Sequence, residues 1–281
     1  MKRLLILIVS LSALVSLRAE VPANFAKGEL IAWCIVPFDA AKRGPAERIE
    51  MLNELGLERY AYDWRAEHVP AFDAEIEAAL AGGVEMFAFW RGHEEAYPLF
   101  RKHGIKPQIW QTLQSPKEGT QEENVNAAAN RMEAAARKTG EEELAFGLYN
   151  HGGWGGQPEN LIAVCEELRA RGHDHVGIVY NFHHAHDRME DWEASLEMLK
   201  SYLLCLNLNG MIPEGDKVGK KILEIGKGDA EAEMIRTIVA SGYEGPIGIL
   251  DHMNETDSKE TLEENLAGLE EILLGDEASG E

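Results

Sequence analysis

Six of the ten histidines in this 281-residue chain fall just past the ends of short apolar runs: His93, His151, His183, His184, His186 and His252. Imidazole gains and loses a proton near neutral pH and ligates transition metals, so such a set on one face could move protons or hold an ion. Loop junctions are also polar for no chemical reason, because connecting segments face water. The company of these histidines therefore matters. Tyr149-Asn150-His151-Gly152-Gly153-Trp154-Gly155-Gly156 sets a phenol, an amide, an imidazole and an indole around four glycines, which let the backbone turn sharply and approach a ligand. Tyr180 to Asp187 reads YNFHHAHD, and its His183, His184 and His186 could coordinate a metal or relay protons, although the spacing matches no single metal motif.

The other apolar runs end in further polar and aromatic groups. They are Trp33, Cys34 and Asp39; Tyr62, Asp63, Trp64 and Arg65; Trp90 and Arg91; Trp110, Gln111 and Gln114; Asn207 and Asn209; and Asp251 beside His252. Indole rings at such ends suit stacking on the apolar face of a sugar, and equally suit plain core packing.

These groups need elements to position them. Short apolar stretches alternate with longer amphipathic ones, the pattern of repeated strand-helix units and a parallel sheet. The strands are expected at Leu30 to Val36, Arg59 to Tyr62, Val84 to Trp90, Pro107 to Gln111, Leu144 to Tyr149, His175 to Asn181, Leu203 to Leu208 and Pro246 to Leu250. The helices are expected at Pro45 to Leu55, Ala71 to Ala81, Glu94 to His103, Glu123 to Thr139, Pro158 to Arg171, Asp191 to Tyr202, Ala230 to Ser241 and Leu262 to Leu274. Gly56, Gly104, Gly140, Gly172 and Gly242 stand where a left-handed residue would close a helix. Eight such units predict an α/β fold, a single (β/α)8 TIM barrel over residues 21–274, whose strands carry working groups at their C-terminal ends. A doubly wound open sheet is the alternative, and no glycine-rich dinucleotide or phosphate-loop signature near the first strand favours it.

Composition narrows the function. A net charge of -22 opposes nucleic-acid binding, which requires phosphate neutralisation, and anionic membrane surfaces as well. Lys2 and Arg3, an apolar run from Leu4 to Val15, and Ala19 before Glu20 form the layout of a signal peptide over residues 1–19, which predicts export to a periplasm or the exterior and no stable membrane insertion after cleavage. An uncleaved anchor is the alternative. Residues 275–281 read as an acidic, disordered tail. Cys34, Cys165 and Cys205 are odd in number and set in apolar segments, so buried reduced thiols are expected. The long connection Gly210 to Asp229 carries Lys217, Lys220, Lys221 and Lys227, a local basic spot that could serve a site or merely be solvated.

The run of strands, YNHGGW at Tyr149 to Trp154, YNFHH at Tyr180 to His184 and GYEGPIGILDH at Gly242 to His252 resemble the xylose isomerase-like TIM-barrel superfamily, and Gly226-Lys227-Gly228-Asp229 also resembles that family's glycine-rich stretch before the last helix-strand pair. The resemblance implies sugar or sugar-phosphate isomerases and epimerases, with related dehydratases, lyases and an endonuclease. It further implies a divalent metal held by Glu, Asp, His and Glu on the fifth to eighth strands. This chain departs from that set. It has Tyr149, Asn181, Asn207 and Leu250 there, with Asp251 alongside the last, and neutral groups are poor ligands for a hard cation.

Two readings follow. In one, His151 or His184 removes a proton next to a sugar carbonyl while Tyr149, Asn181 or Asn207 stabilises the oxyanion, with a transition metal on His151, His183, His184 or His186 as a variant. In the other, the barrel has lost catalysis and binds a carbohydrate or another exported protein. Substrate contacts are expected from Trp33, Asp63, Trp90, Gln111, Asn150, Trp154, Asn207, Asn209, Lys220, Asp251 and His252, with a small carbohydrate as partner. The sequence does not speak to oligomeric state.

Overall fold

The structure is a computed structural model that describes residues 21–275. The expected leader over residues 1–19 and the expected tail over 275–281 lie outside the described residues, apart from Gly275, which ends the last helix. Eight parallel strands close into a barrel in sequence order: β1 (Ile31–Trp33), β2 (Arg59–Tyr62), β3 (Glu85–Trp90), β4 (Gln108–Thr112), β5 (Phe146–Tyr149), β6 (Val176–Asn181), β7 (Leu203–Leu208) and β8 (Ile247–Leu250). The ring shuts where Ile31, Ala32 and Trp33 pair with Gly248, Ile249 and Leu250. An open doubly wound sheet is thereby excluded. Outside lie α1 (Pro45–Leu55), α2 (Phe72–Gly82), α3 (Ala96–His103), α4 (Gln121–Glu141), α5 (Pro158–Ala170), α6 (Trp192–Leu199), α7 (Glu231–Ala240) and α8 (Ser258–Leu274).

Where the elements depart from expectation, the cause is local. β1 stops at Trp33 because Cys34 takes a left-handed φ of 64°, which ends the extended backbone. Gly56, Gly104, Gly172 and Gly242 do turn left-handed, but Gly140 stays inside α4, where a Cβ would crowd the His175 ring. α4 starts early because Thr120 caps it: Thr120 Oγ1 accepts from Glu123 N at 3.3 Å and Glu123 Oε2 accepts from Thr120 N at 2.8 Å. Asp257 does the same for α8 by accepting from Lys259 N at 2.8 Å.

The core has two layers. Between strands and helices, apolar groups such as Leu52, Ile76, Phe89, Leu161 and Ile235 are buried. Inside the barrel a smaller cluster gathers Trp33, Phe87, Trp110, Tyr149, Val179 and Cys205, with the Trp33 and Trp110 rings edge to face at 5.1 Å. At about 25 cal/mol per Å2, burying an indole of about 200 Å2 contributes about 5 kcal/mol before the entropy of ordering it. This aromatic cluster packs the inside of the barrel. Cys34, Cys165 and Cys205 are all buried free thiols, as their setting predicts. No helix among the described residues is long and apolar enough to cross a membrane.

Candidate functional site

A cavity of about 340 Å3 opens at the C-terminal ends of the strands above that cluster. Trp33, Tyr149 and Trp90 form its aromatic side, with ring centroids 6.0 to 6.5 Å apart. Four imidazoles converge on it from three strand ends: His151 after β5, His183 and His184 after β6, and His252 after β8. His184 lies 4.2 Å from His151 and 3.8 Å from His183 between centroids, and His252 stacks on Phe38 at 3.7 Å. Asp63, Cys34, Arg65, Lys221 and Ile222 complete the lining.

Every one of these imidazoles has its pKa lowered, first by loss of solvent and then by positive neighbours. His184 falls to about 2, with Lys221 as the next cause, and His252 to about 4, with Arg65 next. His183 is fully buried and pushed well down, while the exposed His151 is lowered by partial desolvation and Lys221. The cluster is therefore neutral at pH 7. Lys221 Nζ lies 2.9 Å from His184 Nδ1. An ammonium has only donors, so Nδ1 accepts and His184 keeps its proton on Nε2. Desolvation also draws the Lys221 pKa down. Asp63 is 1% exposed, and burial raises its carboxyl to about 8 although Arg65 opposes the shift. Asp63 Oδ1 accepts a long bond from Val36 N at 3.4 Å and Oδ2 has no partner.

Several expected site residues stand elsewhere. Asn150, Asn181 and Asn207 are 0% exposed and bond to one another instead of lining the cavity. Asn150 Oδ1 accepts from Asn181 N at 2.8 Å and from Asn181 Nδ2 at 2.7 Å, Asn150 Nδ2 donates to Asn181 O at 3.1 Å, and Asn181 Oδ1 accepts from Asn207 Nδ2 at 2.7 Å. A register shift between β6 and β7 sets Asn181 opposite Asn207 and makes this ladder. Asn181 and Asn207 are thus spent on each other and are not free oxyanion donors. Asn209 is buried and donates to Gly210 O at 2.8 Å. Trp154 donates to Gln121 Oε1 at 3.1 Å outside the cavity, and Asp251 is buried beneath the mouth, accepting from Ser258 Oγ, its pKa raised to about 7 by burial.

Beyond Gly152, which borders an open cleft, the glycine loop after β5 approaches protein. Gly155 N donates to Ser115 Oγ at 2.9 Å, and a Cβ there would overlap Leu113 O. The basic spot on the 210–229 connection also disperses. Lys217 pairs with Glu214 and Lys227 with Glu264, while Lys220 is exposed and only Lys221 reaches the cavity. His186 is what holds Lys221 in place. Its ring nitrogens face Ile212 O at 3.2 Å and Lys221 O at 3.0 Å, which removes it from the metal candidates. Buried Glu231 fixes the other end of the connection, accepting from Met211 N, Gly226 N and Gly228 N at 2.8 to 3.0 Å.

On the other side of Trp90 a cleft of about 890 Å3 continues the cavity, sharing Arg65, Trp90 and His151 with it. Gln111 lies here, as do Arg91 and Arg131. Arg131 comes from α4, which carries no strand-end signal, and sequence reasoning missed it.

A divalent metal does not fit the positions that the family resemblance implies. Tyr149 is buried, with its phenol raised well above its usual pKa by desolvation, and Asn181 and Asn207 are closed in the ladder. Among the described residues the one group of three ligating side chains within 4.8 Å of one another is Asp73, Glu77 and His103, on the outer helices α2 and α3. Lys102 bridges to Asp73 there at 2.8 Å, so a cation already occupies the charge of that cluster. The histidines at the mouth do not converge on one point.

A family model described as "Xylose isomerase-like TIM barrel" matches residues 61–272. No curated protein matches the sequence. Among solved structures, a 3-keto-D-glucoside 4-epimerase from E. coli, in its apo form, superposes with a TM-score of 0.64 at 12% identity, covering 86% of this chain and 97% of that one. A D-psicose 3-epimerase with D-tagatose from Clostridium cellulolyticum gives 0.60 at 11% identity over 85% and 96%. A protein named IOLI with a bound zinc atom gives 0.66 at 10% identity over 89% and 99%. At these identities the likeness is one of fold.

Proposed function

The chain belongs to the xylose isomerase-like TIM-barrel family, and from that premise we propose that its mouth moves a proton next to a sugar carbonyl, as an isomerase or epimerase does. The observation that carries the reading is the neutral imidazole cluster beside Lys221 over an aromatic floor. His151 is the base: it is the most open of the four imidazoles, stands where cavity and cleft meet, and is unprotonated at neutral pH. Lys221 supplies the charge for the developing enediolate oxygen. One of its three protons goes to His184, which leaves two for the substrate. Trp33, Trp90 and Tyr149 offer apolar faces to a sugar ring. Sugar epimerases among the structural neighbours support the same class. Export, with cleavage between Ala19 and Glu20, is part of the proposal and is tested by sequencing the mature N-terminus.

The test is exchange of carbon-bound hydrogen in D2O, followed by NMR over a panel of ketoses, aldoses and keto-glycosides. Wild type exchanges one C–H beside the carbonyl, and His151→Ala slows this about 100-fold or more, in keeping with loss of a general base. One observation favours a second reading, a carbohydrate binder without turnover: the amide ladder stands where the resemblance implies metal ligands. Saturable sugar binding with no exchange by the wild type would establish that reading in place of the first.

A further inference from the structure

Resting on that reading of the mouth, we propose that the cleft beyond Trp90 binds an anionic group of the substrate, a carboxylate or a phosphate. The chain as a whole is strongly acidic, at -22, yet this cleft is lined by Arg65, Arg91 and Arg131 and by no Asp or Glu. None of the three makes an ion pair among the described residues. Seven of the nine other described arginines do, which marks these three as held apart from the surrounding carboxylates.

Arg65 is pre-set for the task. Its Nη1 donates to Asp63 O and to Trp64 O, both at 2.9 Å, and its guanidinium carbon sits 5.3 Å from the Trp90 ring and 5.4 Å from the Phe38 ring. Carbonyls and aromatic faces orient the fork without neutralising it, and Nε and Nη2 keep donors for a bidentate partner. The carboxyl of Asp63, which feels the Arg65 charge, stays protonated to about pH 8 and so leaves that charge uncompensated. Arg91 is anchored through its backbone, since Trp64 Nε1 donates to Arg91 O at 2.7 Å. Because Arg65, Trp90 and His151 border both spaces, an anion in the cleft would place the rest of a substrate against the imidazoles.

Calorimetry of the whole protein with D-glucose, D-glucuronate, D-glucose 6-phosphate, acetate and inorganic phosphate tests this. At least one anionic sugar is expected to bind tenfold or more tightly than glucose, and whether glucuronate or the phosphate ester gains more identifies the group. The double variant Arg91→Gln/Arg131→Gln, at exposed positions, should lose most of that preference and keep its melting temperature. Arg65→Gln should lose it too. Equal affinity for neutral and anionic sugars, no measurable binding of any anion, or a preference that survives all three substitutions would overturn the proposal. The outcome is separable from the proton-transfer reading. Anion preference without C–H exchange rejects only the isomerase, and exchange on neutral sugars without that preference rejects only the anion site.

Discussion

Two walls of the barrel rim carry polar groups of similar number and opposite behaviour. On the β5 to β7 side, Asn150, Asn181 and Asn207 satisfy one another, and a Cβ at Gly248 of β8 would overlap the Asn207 amide oxygen, so nothing enters. Around the cavity, Trp33 Nε1, Asp63 Oδ2, Trp90 Nε1, His183 Nδ1 and His252 Nδ1 are buried with no protein partner. Buried polar groups are nearly always paired, and each orphan costs about 1 to 3 kcal/mol, so on the proposed reading of the mouth these are the groups whose hydrogen bonding a ligand would complete. The closed wall is satisfied from within, and the open one keeps the donors and acceptors that the proposed function uses.

Of the three substitutions, breaking the closed wall brings the largest loss of stability. Asn181→Leu leaves Asn207 Nδ2 buried without a partner and takes the side-chain bond from Asn150 Oδ1, which keeps only Asn181 N, and should cost about 3 kcal/mol and lower Tm by about 9 °C. A loss below about 1 kcal/mol in chemical denaturation would show that the ladder is incidental.

Next comes Asp63 on the open wall. Folded, it keeps its proton to about pH 8; unfolded, it releases it near pH 3.8. The folded state therefore binds more protons between those values, and stability falls as pH rises through that window, by up to about 1.4 kcal/mol per unit, levelling off above pH 8. Asp63→Asn, which copies the neutral form, removes that share of the slope, while Asp251 keeps its own up to about pH 7. Unfolding curves of wild type and variant from pH 4 to 9 should diverge with rising pH, and parallel curves would refute the assignment.

The smallest effect sharpens the contrast. Lys221→Met should leave stability within about 1 kcal/mol, because the lysine bonds only at the rim. It should also raise the His184 pKa from about 2, since Lys221 is the second cause of its depression. NMR titration of the ring reads that shift directly, and an unmoved His184 would dissolve the Lys221–His184 pair.

The eight strands were legible because apolar runs and helical spacing are local signals, and the observed ends fall within three residues of those expected. The placement of Trp33, Asp63, Trp90, Tyr149, His151, His183, His184 and His252 at one mouth follows from their standing at strand ends in a barrel. Other positions were not legible. Lys220 and Lys221 are adjacent in sequence, and only the loop path fixed by His186 and Glu231 decides which one turns inward. Arg131 reaches the cleft from a helix surface that looks like any solvated face.

By itself, then, the sequence determined the barrel and the supply of imidazoles, indoles and amides at its rim, because periodicity and strand-end position are written residue by residue. The tertiary structure alone decided which of those groups are spent on one another and which are left open. That choice depends on register between neighbouring strands and on a loop folding back across the mouth, contacts between residues distant in the chain whose energies no local pattern encodes.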